Sequence, residues 1–132
     1  MKKLASIILV LLVIGISPVV SLAEELEDAQ ERVRQNPNNP YVHFKLGVAY
    51  NKLRRYQETI NPLKEAIRLN PNDALVHYYL GVTYENLGLN YEAIVEYKEA
   101  LRINPGYFLA RKNLNIVQKK IAQASPSPPV SQ

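Results

Sequence analysis

The chain has 132 residues, 16 basic and 12 acidic side chains, a formal net charge of +4 at pH 7 and no cysteine. The absence of cysteine excludes disulfide bonds, a cysteine-linked lipid anchor and thiol nucleophiles. A chain of this length is expected to fold around one modest hydrophobic core.

The first 23 residues have the layout of a secretory signal. Lys2 and Lys3 precede an apolar run, and Ser21-Leu22-Ala23, with small residues at its first and last positions, precedes an acidic stretch. This layout predicts export, with cleavage after Ala23. An uncleaved anchor over residues 4–20 is the alternative, although this stretch is short for a membrane span of about 20 residues. In both cases the rest of the chain is expected in the periplasm or an equivalent extracytoplasmic compartment.

Three Asn-Pro pairs follow one another at a spacing of 34 residues: Asn36-Pro37, Asn70-Pro71 and Asn104-Pro105. Proline does not continue a helix, and it moves the preceding residue out of the helical region. The pairs therefore mark the ends of repeated units. Other residues recur at the same spacing, namely Leu46, Leu80 and Leu114, Gly47 and Gly81, Tyr50 and Tyr84, and Ala66 and Ala100.

Each unit contains two helical patterns of apolar residues separated by a short break. Asn39 and Asp73 are placed to cap the first helix of their units, with Pro40 and Ala74 as the first helical residues. The small residues at the glycine positions predict a close approach between the two helices. Pro62 lies within the second helical pattern of the first unit, which predicts a late helix start near Asn61 or a kink.

These residues resemble the signature of the tetratricopeptide-repeat family, Trp-x2-Leu-Gly-x2-Tyr followed by Ala-x3-Phe, Ala and Pro. Histidine replaces the tryptophan in both units, and Thr59 replaces the first alanine of the first unit. The resemblance implies an all-α fold, a right-handed α-solenoid of antiparallel helix pairs with about six helices after the signal segment. The second unit matches at His77, Leu80, Gly81, Tyr84, Ala93, Tyr97, Ala100 and Pro105, and the first at His43, Leu46, Gly47, Tyr50, Leu63, Ala66 and Pro71.

The same register implies the organisation of the chain after the signal. A half-repeat helix is expected over residues 24–37, complete repeats over 38–71 and 72–105, and a capping helix over 106–122. Residues 123–132 are rich in Pro and Ser and are expected to form a disordered tail. The apolar residues expected to pack are Leu26, Ala29 and Val33 in the half-repeat, and Phe108, Leu109, Leu114, Val117 and Ile121 in the capping helix.

Residues for catalysis are scarce. Residues 24–124 contain no serine, and Thr59 and Thr83 lie inside repeat helices, so no activated hydroxyl nucleophile is expected. No glycine-rich phosphate loop is present, and we expect neither an enzyme nor a bound cofactor. His43 and His77 occupy equivalent positions, where a two-histidine metal site competes with a packing role. Packing is favoured, because two ligands alone make a weak site.

The resemblance also implies a concave groove lined by positions 2, 5, 9 and 12 of each first helix. An aromatic-lined groove suits an apolar peptide or helix of another protein. Packing against the chain's own first helix, its tail or a second copy are the alternatives. The groove residues are Tyr41, Phe44, Val48 and Asn51, then Leu75, Tyr78, Val82 and Glu85, and in the third unit Leu109, Lys112, Ile116 and Lys119.

Chaperone-binding members of the family hold a C-terminal carboxylate with Lys and Asn on this face. The corresponding residues here are Phe44, Val48, Tyr78 and Val82. The resemblance therefore argues against a carboxylate-binding site.

Charge is distributed unevenly along the chain. Without Lys2 and Lys3 the chain has 14 basic and 12 acidic residues, a balance that predicts no nucleic-acid partner. The half-repeat helix is acidic and the capping helix is basic. We favour the interpretation that these two charged helices are the solvent-exposed ends of the solenoid. The alternative is that they contact each other head-to-tail between molecules and form a homo-oligomer. The predicted function is a non-enzymatic scaffold in an envelope or membrane complex, touching the membrane only through an uncleaved N-terminal segment.

Overall fold

The computed structural model describes residues 18–125, with side chains from residue 21. This part contains six α-helices and no strand. Most of the predicted signal segment and of the predicted disordered tail lies outside the described residues. The helices are α1 (Pro18–Gln35), α2 (Pro40–Lys52), α3 (Tyr56–Leu69), α4 (Ala74–Asn86), α5 (Asn90–Ile103) and α6 (Phe108–Ala124).

Each helix packs on the next along the chain, and α2 also contacts α4. This is the contact pattern of a solenoid, in which every unit touches only its neighbours. Residues of α3 to α6 form the larger hydrophobic core, and Leu26 and Ala29 of α1 pack with Ala49 of α2 in a smaller one. The predicted all-α solenoid of six helices is confirmed.

The first helices of both complete repeats begin as the sequence predicts. The Asn39 side chain accepts a hydrogen bond from the backbone N–H of Tyr41 (2.9 Å), and Pro40 is the first residue of α2. Asp73 caps α4 by accepting from the N–H of Leu75 at 3.0 Å. Each cap satisfies a backbone donor that has no partner within its helix.

The glycines at the repeat positions bring paired helices close together. A Cβ atom added to Gly47 would lie 2.6 Å from Leu63 Cδ2 of α3. One added to Gly81 would lie 2.6 Å from Cε1 of Tyr97 in α5. Any larger residue at either position would overlap a side chain that is fully buried.

Pro62 does not delay the start of its helix. α3 begins at Tyr56, so the expectation of a start near Asn61 is wrong, and the predicted kink stays a prediction. The first turn is held by Thr59, whose N–H and hydroxyl both donate to the carbonyl of Arg55, at 3.1 and 3.0 Å. The proline ring is buried, and packing offsets the backbone hydrogen bond that proline cannot donate.

The turns inside the two complete repeats share a left-handed residue. Arg54 has φ 57° and Gly88 has φ 75°, and the two positions are one repeat apart. Glycine adopts this conformation without steric cost, whereas arginine does not. The second repeat therefore carries the better suited residue at this point.

The two end helices differ from their expected limits. α1 begins at Pro18 and runs without interruption through Ala23, so the predicted cleavage site lies within a helix. α6 extends to Ala124, and of its expected packing residues Val117 is buried whereas Phe108 and Leu109 are exposed, at 71% and 45%. No helix of the described part is long and apolar enough to cross a membrane.

Candidate protein-binding surface

Three apolar side chains form an exposed row at the repeat spacing. Tyr41, Leu75 and Leu109 are the second residues of α2, α4 and α6, and they are 62%, 41% and 45% exposed. The 34-residue register places them at the same point of three successive first helices. We call these residues the apolar row.

Phe44 and Tyr78 are half-buried in an aromatic cluster. The Phe44 ring meets Tyr79 edge-on, with the ring centroids 5.2 Å apart. The Tyr78 ring lies 5.1 Å from Tyr107 and 6.0 Å from Tyr97, again between centroids. Contacts of this kind stabilise aromatic pairs beyond the area they bury, so these rings hold one another in place.

The ninth positions of the first helices are also apolar. Val48 and Val82 are half-buried, and Ile116 is 44% exposed. The apolar character of the face therefore continues one further turn along each first helix.

The twelfth positions have different roles in the three helices. Glu85 accepts a hydrogen bond from the Tyr97 hydroxyl (2.8 Å) and lies 3.7 Å from the ammonium of Lys120. Asn51 is one repeat before Glu85, and Leu63, which has no hydroxyl group, is one repeat before Tyr97. The Nδ2 atom of Asn51 is buried and makes no hydrogen bond within the described part of the chain. Lys119 is exposed, as is Lys112 at the fifth position.

No described cavity includes all of these residues. Tyr41 and Phe44 line a cavity of about 140 Å³ between α2 and the start of α4. Lys112, Ile116 and Lys119 line another of about 360 Å³ on α6 together with Phe108. A larger cavity of about 590 Å³ lies between α1 and α2. No described cavity therefore brings the predicted groove residues together, and the groove stays a prediction.

The tyrosines of this region act as neutral groups. Burial raises the pKa of Tyr107 to about 12, and it raises the pKa of Tyr78 and Tyr97 above the ordinary value. A phenol with a raised pKa stays protonated at physiological pH and can donate a hydrogen bond, as Tyr97 does to Glu85.

Both histidines tie a first helix to the turn before it. His43 Nε2 lies 2.7 Å from the carbonyl oxygen of Pro37, and His77 Nε2 lies 3.1 Å from that of Pro71. His77 Nδ1 also lies 2.7 Å from a carboxylate oxygen of Glu96. In residues 18–125 no group of three His, Cys, Asp or Glu side chains is arranged to hold a metal ion. The observed contacts give the histidines a structural role.

His77 makes the fold sensitive to pH. Its two ring nitrogens face two acceptors, and both can donate only when the ring is protonated. The hydrogen bond to Glu96 therefore raises the pKa of His77, and this effect exceeds the opposing effect of burial. A raised pKa in the folded state means that this contribution to stability is complete below about pH 6.5 and is lost as pH rises through the folded pKa.

We expect Glu96→Gln to flatten the dependence of the free energy of unfolding on pH between pH 6 and 9. The amide can still accept a hydrogen bond from a neutral ring, but it does not favour the charged one. Urea unfolding followed by circular dichroism at several pH values measures the slope. Glu92→Gln, an exposed change of the same kind in α5, is the control and should keep the wild-type slope. An unchanged slope in Glu96→Gln would contradict the assignment.

Comparison with known families agrees with this geometry. Residues 50–88 match the family model described as TPR repeat, and residues 74–107 match the one described as tetratricopeptide repeat. The fold is a tetratricopeptide-type α-solenoid. Together the two matches span residues 50–107, and they support a relation to the tetratricopeptide-repeat family. No curated protein matches the sequence.

Several solved structures have the same tetratricopeptide fold. The first TPR of Spaghetti (RPAP3) bound to the HSP90 peptide SRMEEVD is 20% identical, with a TM-score of 0.75 over 80% of this chain and 83% of that one. The Arabidopsis OM64 TPR domain is 17% identical, with a TM-score of 0.72 over 77% and 84%. A crystal structure of MamA is 26% identical, with a TM-score of 0.72 over 74% of this chain and 57% of MamA.

Several aromatic or exposed apolar residues were not among the predicted groove residues. Tyr79 and Tyr107 complete the aromatic cluster, yet neither occupies a signature position. Tyr91 and Val95 of α5 are 70% and 62% exposed and lie outside the predicted groove. The repeat register alone carries no signal for them, because their neighbours come from contacts between helices.

Proposed function

We propose that the protein is a non-enzymatic scaffold that holds an apolar peptide or helix of another protein against its first helices. The observation that carries this proposal is the apolar row of Tyr41, Leu75 and Leu109, exposed at the repeat spacing. Exposed apolar side chains aligned in this way mark sites of protein interaction.

The surroundings of the row support binding of an extended or helical segment. The aromatic cluster that includes Phe44 and Tyr78 of the same first helices is preorganised, so a partner orders few side chains when it binds. Asn51, Glu85, Lys112 and Lys119 surround the apolar residues with polar groups that orient a partner. An apolar centre with a polar rim is the usual composition of a binding surface.

A similar structure gives a precedent for the kind of ligand. The first TPR of RPAP3 was solved with a peptide of HSP90. Here Phe44, Val48, Tyr78 and Val82 occupy the positions where chaperone-binding members hold a carboxylate, as the resemblance implies. The proposed ligand is therefore an internal apolar segment of a partner.

The proposed compartment rests on the N-terminal sequence. The signal layout over residues 1–23 supports action in the periplasm or an equivalent compartment, in the assembly of an envelope or membrane complex. If the segment is not cleaved, residues 4–20 tether the scaffold to the membrane.

Changing the apolar row to serine should abolish capture of the partner. The test uses the triple variant Tyr41→Ser, Leu75→Ser and Leu109→Ser in pull-downs from the envelope fraction. The loss of buried apolar area predicts at least a tenfold weaker interaction, because about 1.4 kcal/mol corresponds to a factor of ten. Far-ultraviolet circular dichroism should be unchanged, since all three side chains are exposed.

A matched control changes exposed apolar residues outside the row. Leu89→Ser, Tyr91→Ser and Val95→Ser alter three side chains near the start of α5 that are 40%, 70% and 62% exposed. This variant should retain its partners. If the row variant keeps them and the α5 variant loses them, the binding surface lies on α5 and the proposal is wrong.

A further inference from the structure

The two ends of the described solenoid each contain half of a repeat. α1 is one repeat before α3 and corresponds to a second helix, whereas α6 is one repeat after α4 and corresponds to a first helix. A first helix and a second helix together make a complete tetratricopeptide unit. One end therefore provides the type of helix that the other end lacks.

The cavity between α1 and α2 lies where a first helix belongs. Its α1 wall includes Ala29, which is one repeat before Leu63. In the complete first repeat, Leu63 packs on Gly47 of the first helix. A helix placed in this cavity of about 590 Å³ would meet α1 in the way that α2 meets α3.

Two contacts of the second repeat show which residues would meet. His77 of the first helix faces Glu96 of the second, and Gly81 packs on Tyr97. The residues one repeat after His77 and Gly81 are Arg111 and Asn115 on α6. The residues two repeats before Glu96 and Tyr97 are Asp28 and Ala29 on α1.

The first of these pairs is complementary in charge. Arg111 already donates a hydrogen bond to the Pro105 carbonyl, just as His77 contacts that of Pro71. A guanidinium has five N–H donors, so Arg111 can also donate to Asp28 of a second copy. The second pair is complementary in size. Asn115 is larger than the equivalent Gly81, and Ala29 is correspondingly smaller than the equivalent Tyr97.

The charge around these residues favours the same contact. α1 carries Glu24, Glu27 and Glu31 on its exposed surface in addition to Asp28, and α6 carries Lys112, Lys119 and Lys120 in addition to Arg111. Within the described residues, Asp28 forms an ion pair with Arg32 on its own helix (2.6 Å), in which both side chains are more than half exposed. Such surface pairs contribute little to stability and rearrange at low cost.

We propose that α6 of one copy occupies the cavity between α1 and α2 of another, so that two copies build one composite repeat. The contact is head-to-tail, so each copy can bind another at either end. The assembly grows into a filament unless the rotation between successive copies closes it into a ring. Its test is separate from that of the proposed peptide binding, since Asp28 and Arg111 lie outside the apolar row, although Tyr41 of that row also lines the cavity.

Charge reversal tests the composite repeat in the purified full chain. Sedimentation velocity over a range of protein concentrations should show assemblies that grow beyond a dimer. Asp28→Arg and Arg111→Asp alone should each weaken association at least tenfold, since each places like charges opposite one another. The double variant Asp28→Arg/Arg111→Asp restores opposite charges and should recover most of the association.

Matched controls have the same charge changes elsewhere. Glu92→Arg and Lys98→Asp, both on α5, alter exposed side chains outside the paired positions and should assemble like the wild type. A monomer at every concentration would overturn the proposal. Association that Arg111→Asp leaves unchanged would overturn it as well. This second result is expected if residues 1–17, and not α6 of another copy, fill the cavity. Failure of the double variant to recover, with helical content intact, would also overturn it.

Discussion

Replacing Tyr97 with alanine is expected to lower the free energy of unfolding by about 3–5 kcal/mol, the usual cost of removing a buried aromatic ring. Tyr97 is fully buried and packs on Gly81 and Tyr78, so its removal leaves a cavity where the two helices of the second repeat meet. Urea unfolding followed by circular dichroism measures the change. Because the array contains few repeats, this loss is a large fraction of the stability of a small domain.

Two controls separate the ring of Tyr97 from its hydroxyl and from its helix. Tyr97→Phe keeps the ring but removes the donor to Glu85 and the acceptor for Asn113, at an expected cost of about 0.5–1.5 kcal/mol. Tyr91→Ala, at an exposed position of the same helix, should change stability by less than about 0.5 kcal/mol. A cost below about 1 kcal/mol for Tyr97→Ala would show that this contact does not hold the repeat together.

The features that the sequence predicted well, helix caps and close helix contacts at glycine, depend on the local backbone. Asn39 and Asp73 cap the helices they were expected to cap, because capping uses only the local chain. The glycines at the repeat positions gave the correct close approach for a similar reason, since few packing arrangements require glycine inside a helix. Repetition strengthened both predictions, because each pattern occurred twice.

The features that were missed depend on contacts between helices. Glu85 was expected on the rim of a groove, and the sequence pattern did not show that the Tyr97 hydroxyl of the neighbouring helix also donates to it. Phe108 and Leu109 fit the apolar period of α6, yet the period does not reveal that no described helix covers that end. Pro62 suggested a late helix start, and the Thr59 contacts that hold the first turn were not visible in the pattern.

The end helices show a further limit of sequence reasoning. The small residues before Glu24 predict a cleavage site, and the same residues are compatible with the first turns of α1. Residues of this kind fit both the end of a signal segment and the first turns of a helix. The sequence pattern therefore did not predict that α1 begins at Pro18. The pairing of Asp28 with Arg111 likewise emerges only after the second repeat shows that His77 faces Glu96.

Gly81→Ala is expected to lower the free energy of unfolding by about 2 kcal/mol, although alanine is the better helix former. The new Cβ would lie 2.6 Å from Cε1 and 2.7 Å from Cδ1 of Tyr97. The ring is rigid, and hydrogen bonds to Glu85 and Asn113 fix its position. Gly47→Ala should cost less, because the atoms it meets belong to the flexible end of Leu63.

A double-mutant cycle decides whether the clash with Tyr97 is the cause. In the Tyr97→Ala background the ring is absent, so Gly81→Ala should stabilise the protein by up to about 1 kcal/mol through helix propensity alone. The same substitution then has opposite signs in the two backgrounds, measured by urea unfolding under identical conditions. If Gly81→Ala is destabilising in both, the glycine is required by a contact other than the ring, and the close approach at Tyr97 does not explain its recurrence in the repeat.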